Sequence, residues 1–183
     1  MNCFKMLSDI ERDCKLNAVH LPKQISSERD WRGISFKVGR FHGVCTMQAI
    51  AEVLPWPMIT PLPSARSWFR GAANVRGRLL PVTDLQGFIT GLPHQSGITS
   101  RVLVVHFKNH AYGFAVEQVL GIERFFGDEK KSAKALPDIE PYLPYVIDAF
   151  EHQEKPWILL DFEAIFQDAG FYHVLSARME GGR

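Results

Sequence analysis

Pro81-Val82-Thr83-Asp84-Leu85-Gln86-Gly87-Phe88-Ile89 and Ile158-Leu159-Leu160-Asp161-Phe162-Glu163-Ala164-Ile165-Phe166 read as one short unit written twice. Each runs an apolar strand into an aspartate and then into a short amphipathic helix. The aspartate has a physical reason to be there, because its side-chain oxygen can accept from the free amides of the first helical turn. Thr83 or Asp84, and Asp161, are therefore the expected helix caps. Two lobes follow, each containing one strand-to-helix element.

Outward from these units the pattern has a period of about two. Ile34, Phe36 and Val38 alternate with Ser35, Lys37 and Gly39, then Phe41, Gly43, Cys45 and Met47 alternate with His42, Val44 and Thr46. Residues 101–107, 112–116, 145–150 and 156–160 are short, rich in β-branched and aromatic residues, and bounded by Gly, Pro or Asn. Their regular spacing predicts an all-β fold with short helices, built as barrels or a sandwich. Phe4, Leu7, Ile10 and Cys14 fall at helical spacing, which predicts a short amphipathic helix within residues 1–18. Residues 19–30, with Pro22, Ser26 and Ser27, read as a linker, so the core is expected from Trp31.

Composition narrows the class. The 183 residues are 46% hydrophobic and carry a formal net charge of +1 from 21 basic and 20 acidic groups. That balance gives no general attraction to nucleic acid or an anionic membrane. Cys3, Cys14 and Cys45 form no C-x-x-C pair, and their odd number fits a reducing cytoplasm. Asp9, Glu11 and Asp13 stand where a signal peptide would need its apolar stretch, and no window approaches the roughly 20 apolar residues of a membrane span. The expected protein is neither secreted nor membrane-inserted.

No catalytic or metal-binding spacing emerges. Of the seven histidines, His106 and His110 are four apart, but on a strand and its turn that spacing does not bring both rings to one face. Ser64 and Ser67 lack a nucleophile elbow, and Cys45 alternates inward with Phe41 and Met47 as a packed thiol. Residues 71–77 bear glycines without a phosphate-loop ending. Gly71 and Gly77 are read instead as structural, bracketing a turn that presents Asn74 and Arg76. No metal and no cofactor is expected.

Charge distribution is the informative anomaly. Residues 53–83 contain Arg66, Arg70, Arg76 and Arg78 but no acidic residue and no lysine. Trp68, Phe69, Val75 and Leu79 lie among them, the aromatic and arginine mixture favoured at protein interfaces. The same mixture on a small barrel could grip single-stranded nucleic acid, which is the alternative function.

Thr60-Pro61-Leu62-Pro63 followed by Trp68-Phe69-Arg70-Gly71-Ala72-Ala73-Asn74-Val75-Arg76-Gly77-Arg78-Leu79-Leu80-Pro81-Val82-Thr83-Asp84-Leu85 resembles the signature of CheW-like domains: a Pro-bounded approach, G-x-x-N-x-R-G, then P-V-x-D-L. The likeness extends through Tyr112-Gly113-Phe114-Ala115-Val116-Glu117-Gln118-Val119, where Glu117 replaces the usual aspartate, and spans residues 31–168. Residues 1–30 and the tail 169–183 fall outside it.

The resemblance implies two SH3-like five-stranded β-barrel lobes sharing an apolar core. It also implies a non-enzymatic adaptor coupling a methyl-accepting chemoreceptor tip to the regulatory domain of a CheA-type histidine kinase, without nucleic acid. Its wording is most similar to the adaptors of type IV pilus systems that control twitching motility, which would place it in the cytoplasm, at receptor arrays on the inner membrane. Arg76 of N-x-R-G is the position carried over to the receptor-facing surface, with Arg70, Asn74 and Val75 around it.

Overall fold

The computed structural model describes residues 31–126 and 129–171. The expected helix within residues 1–18 and the linker 19–30 lie outside the described residues. Twelve strands are described: β1 (Trp31–Val38), β2 (Phe41–Thr46), β3 (Glu52–Pro55), β4 (Ile59–Thr60), β5 (Phe69–Val75), β6 (Arg78–Asp84), β7 (Arg101–Phe107), β8 (His110–Val116), β9 (Gln118–Phe125), β10 (Lys130–Lys131), β11 (Val146–His152) and β12 (Lys155–Leu160). Two short helices, α1 (Leu85–Thr90) and α2 (Phe162–Gln167), follow β6 and β12.

The strands form two six-stranded sheets, ordered β10-β11-β12-β2-β1-β9 and β3-β7-β8-β6-β5-β4. In each, five strands make an SH3-like lobe and the sixth, β10 or β4, is a two-residue edge. The two orders correspond strand for strand when the second is read in reverse. β12 pairs parallel with β2 as β6 pairs parallel with β8, and the helix follows the equivalent strand in each lobe. The repeat is permuted: β3 to β8 complete one lobe consecutively, whereas β9 to β12 need β1 and β2 from the start of the domain. That is why the two echoing sequence units lie so far apart.

Three apolar clusters explain the strand sequences. Val82, Val102, Val104 and Ala115 fill the interior of the central lobe, and Val44, Phe125, Phe150, Trp157 and Leu159 fill the other. The largest cluster, with Phe36, Phe41, Leu85, Leu103, Phe114, Ile158, Ile165 and Phe171, lies between the lobes and takes residues from both sheets and both helices. Val102-Leu103-Val104-Val105 and Trp157-Ile158-Leu159-Leu160 thus feed alternate residues into two different cores. A strand buried on both faces reads as an unbroken apolar run, and these do.

Several details differ from the sequence reading. Met47 does not continue the inward alternation of β2; it opens a short 3-10 turn and is 41% exposed. Strand β9 (Gln118–Phe125) was not anticipated, although its burial alternates regularly. Phe171, expected in the tail, is 1% exposed and stacks on Trp68 and Phe114.

Four hairpins close through two-residue turns: Gly39-Arg40, Arg76-Gly77, Lys108-Asn109 and Gln153-Glu154. Turns this tight that match strand twist need positive φ, which glycine and asparagine adopt at least cost. Gln153 and Glu154 hold φ of 52° and 60° with neither residue type present. Replacing them by Asn-Gly is expected to stabilise the fold by about 1 kcal/mol, since left-handed backbone costs an L residue about that much. A calorimetric melt should rise by about 3 °C; an unchanged or lower melting temperature would show that the turn carries no strain.

Candidate functional site: an arginine hairpin and an inter-lobe groove

The arginine-only stretch divides at β5. Arg66 and Arg70 lie near the start of that strand and Arg76 just past its end, about 20 Å away at the ordinary rise per residue. The two ends do different things.

Asp84 marks the inner end. It is 0% exposed, and its Oδ1 accepts from the Gly87 amide at 2.8 Å, which caps α1. Its Oδ2 accepts from Arg70 Nε at 3.1 Å and Nη2 at 2.5 Å, and from the His94 amide at 3.0 Å. Arg70 also donates to the His94 carbonyl, and His94 Nδ1 lies 3.0 Å from Asp84 Oδ2. Burial pushes the Asp84 carboxyl up, but these hydrogen bonds and the electrostatic pull of His94 and Arg70 outweigh it, so its pKa lies below the usual carboxylate value. Arg70, read from sequence as part of the partner-facing surface, is tied to Asp84 and half-buried. Thr83, the alternative cap, is a buried residue of β6.

Asp161 begins α2 in the equivalent place, its Oδ1 accepting from the Glu163 amide at 2.8 Å. Gly71 does not bracket the turn. It sits in β5 at a bulge with φ 131°, where a Cβ would stand 2.1 Å from the Thr60 carbonyl oxygen. Only Gly77, with φ 78°, belongs to the turn.

The outer end is the β5–β6 tip. Asn74 Oδ1 accepts from the Gly77 amide at 2.9 Å, closing the turn, and Arg76 occupies its first position with φ 52°. The Arg76 side chain is 77% exposed and donates through both terminal nitrogens to Glu52, at 2.5 and 3.2 Å. Glu52 begins β3, at the far end of the strand order from β5, so this pair also records how the sheet curls toward closure. Exposed Arg78 and Leu79, the latter 75% exposed, stand beside it, with Val75 half-buried. Trp68 is buried and Phe69 half-buried, so the surface is arginine and aliphatic, not arginine and aromatic. A platform for base stacking is therefore absent from this tip.

Sequence reasoning missed the partnership of Glu52 with Arg76. It also missed two neighbouring hollows. One hollow of about 520 Å³ runs from Arg76, Arg78 and Leu79 to Ala51 and His106. A second, of about 470 Å³, shares Ala51 and His106 and continues to Ile147, Asp161 and Glu163 on the other lobe. Alternation in each strand was legible, but the joining of two lobes along a line was not.

Other reactive groups are quiet. Cys45 is 0% exposed, and burial pushes its thiol up to about 12. Among the described residues no group of three or more His, Cys, Asp or Glu is placed to hold a metal, and no helix is long and apolar enough to cross a membrane.

His42 packs against Trp157, ring centroids 4.8 Å apart with the planes tilted by 31°, and burial, then Lys155 and Lys37, lower its pKa from 6.5. A group that resists protonation only when folded stabilises the fold above its unfolded pKa and loses that contribution as pH falls through the folded value. Stability should therefore begin to fall below pH 6.5 through His42, and fall again below about pH 4 as Asp84 is protonated. Urea midpoints across pH should flatten in the first step for His42→Phe, which keeps an aromatic ring against Trp157; an identical profile would clear His42 of the effect.

The CheW-like domain profile matches residues 32–170. The chain is 37% identical to protein PilI of Pseudomonas aeruginosa over 171 residues, covering 93% of this chain and 95% of that protein. It is 29% identical to chemotaxis protein CheW of Thermotoga maritima over 96 residues, 52% of this chain and 63% of that one. Its fold is similar to that of the scaffolding protein TtCheW of Thermoanaerobacter tengcongensis, with TM-score 0.65 and 18% identity across 76% of this chain and 94% of the other. A match across nearly the whole described domain, on a framework of two such lobes, shows that the chain belongs to the CheW-like family.

Proposed function

We propose that this protein is a non-enzymatic chemosensory adaptor whose β5–β6 tip meets the tip of a methyl-accepting receptor while other surfaces hold the regulatory domain of a CheA-type histidine kinase. Similarity to PilI along 93% of the chain supports a pathway controlling type IV pilus twitching motility, with the adaptor in the cytoplasm at inner-membrane receptor arrays.

Arg76 carries the reading. It stands at φ 52°, in a turn position better suited to asparagine or glycine, and it is 77% exposed. An exposed ion pair contributes little to folding, so its bond to Glu52 is weak compensation for that backbone. Strain kept at an exposed position points to a use outside the fold. The test is reconstitution of receptor signalling domain, kinase and adaptor, scored for adaptor-dependent control of kinase autophosphorylation. Control that is absent without the adaptor supports the proposal; kinase activity indifferent to the adaptor would refute it.

A further inference from the structure

We infer that the receptor tip presents an acidic face and is steered to Arg76 by the field of the whole central lobe, which is cationic while the other lobe is acidic. This rests on the receptor reading above and goes beyond it, because it names the charge of the partner and gives a role to arginines far from the contact.

Charge is divided by lobe. Residues 52–116, the central lobe, hold six Arg or Lys and two acids, a balance of +4. Both acids are occupied: Asp84 is 0% exposed and bonded to Arg70, and Glu52 pairs with Arg76. Residues 31–51 and 117–171, which make the other lobe, hold eight Arg or Lys and twelve acids, a balance of −4. The near-neutral sum of the chain hides this division. Four cations of the acidic lobe are also neutralised at close range, Lys37 by Glu117, Arg40 by Asp138, Lys130 by Asp148 and Lys131 by Glu151. In the central lobe, exposed Arg66 and Arg78 have no carboxylate partner among the described residues.

A field divided this way orients as well as attracts. An acidic face is drawn to the central lobe and repelled by the other, so encounters are biased toward the lobe that carries Arg76; a basic face would be turned the wrong way. Arg66 lies near the start of β5, about 20 Å from Arg76 at its end. The Debye length exceeds that distance at about 0.01 M salt, where it is about 30 Å, and falls to about 3 Å at about 1 M. Arg66 therefore acts on an acidic partner without touching it.

The test is stopped-flow association of a soluble receptor signalling tip with the full chain and with Arg66→Glu, Lys134→Glu and Arg76→Glu, at about 0.01 M and about 1 M salt, with a melt of each. Lys134 is an exposed cation of the acidic lobe, so its reversal changes the net charge equally from the other side. Association with the parent is expected to slow about tenfold or more as salt rises. Arg66→Glu should slow it about threefold at low salt and leave it unchanged at high salt, with dissociation and melting temperature unaltered. Lys134→Glu should slow it much less. Association that ignores Arg66 and salt, or quickens with salt, while Arg76→Glu still loses binding would overturn the steering and leave the receptor reading standing. Equal slowing by Lys134→Glu would overturn it too, since net charge would then suffice. An Arg76→Glu protein that binds normally would remove the receptor reading and the inference together. Should Arg66→Glu melt early, Arg66→Gln replaces it, with a smaller slowing expected; association as fast as that of the parent would overturn the inference.

Discussion

Asp84→Ala is expected to lose about 3–5 kcal/mol of folding stability, the usual consequence of removing one partner from a buried ion pair. Asp84 is 0% exposed and serves Arg70, the His94 amide and the cap of α1 together. Its removal strands a guanidinium that is only 25% exposed and uncaps the helix that packs between the lobes. Domains of this size have about 5–15 kcal/mol in all, so the variant should sit near the edge of folding. Asp84→Asn keeps an acceptor for the cap and should lose less. Urea unfolding of both variants decides the matter; a loss under about 1 kcal/mol for Asp84→Ala would mean the buried network is not a keystone.

Arg76→Glu should behave in the opposite way. The melting temperature should barely move, because exposed substitutions commonly fall within about 0.5 kcal/mol. Affinity for the receptor tip should drop at least 30-fold, about 2 kcal/mol, since a central interface arginine commonly costs that much to remove and the new carboxylate would face Glu52 as well as the partner. A destabilised protein that binds receptor normally would show that Arg76 serves the fold.

The contrast between Arg70 and Arg76 shows how far sequence reading reaches. Both stand in one acid-free stretch, and nothing local separates them. Topology does: β6 ends in a buried Asp84 opposite Arg70, whereas β3 brings only the edge residue Glu52 to Arg76. Two-residue periodicity and the repeated strand-Asp-helix unit made the two lobes and both helix caps readable, because those signals are local. The permutation that completes one lobe with β1 and β2 left no local trace. Nor did the hollow between the lobes, since His106 and Glu163 come from β7 and α2 and line it together only when the lobes pack. Trp68 misled for a related reason. Its position among arginines suggested a surface, whereas Phe88 packs edge-on against it and Phe171, beyond the recognised motif, stacks on it.

The most direct test of the central claim is Arg76→Asn, assayed by melt and by calorimetric titration with the receptor signalling tip. Asparagine accepts φ 52° more readily than arginine, so the melting temperature should hold or rise although the bond to Glu52 is lost. Receptor affinity should fall by tenfold or more. A protein that melts as expected but binds the receptor tip as tightly as the parent would contradict the assignment of Arg76 to the receptor-facing surface.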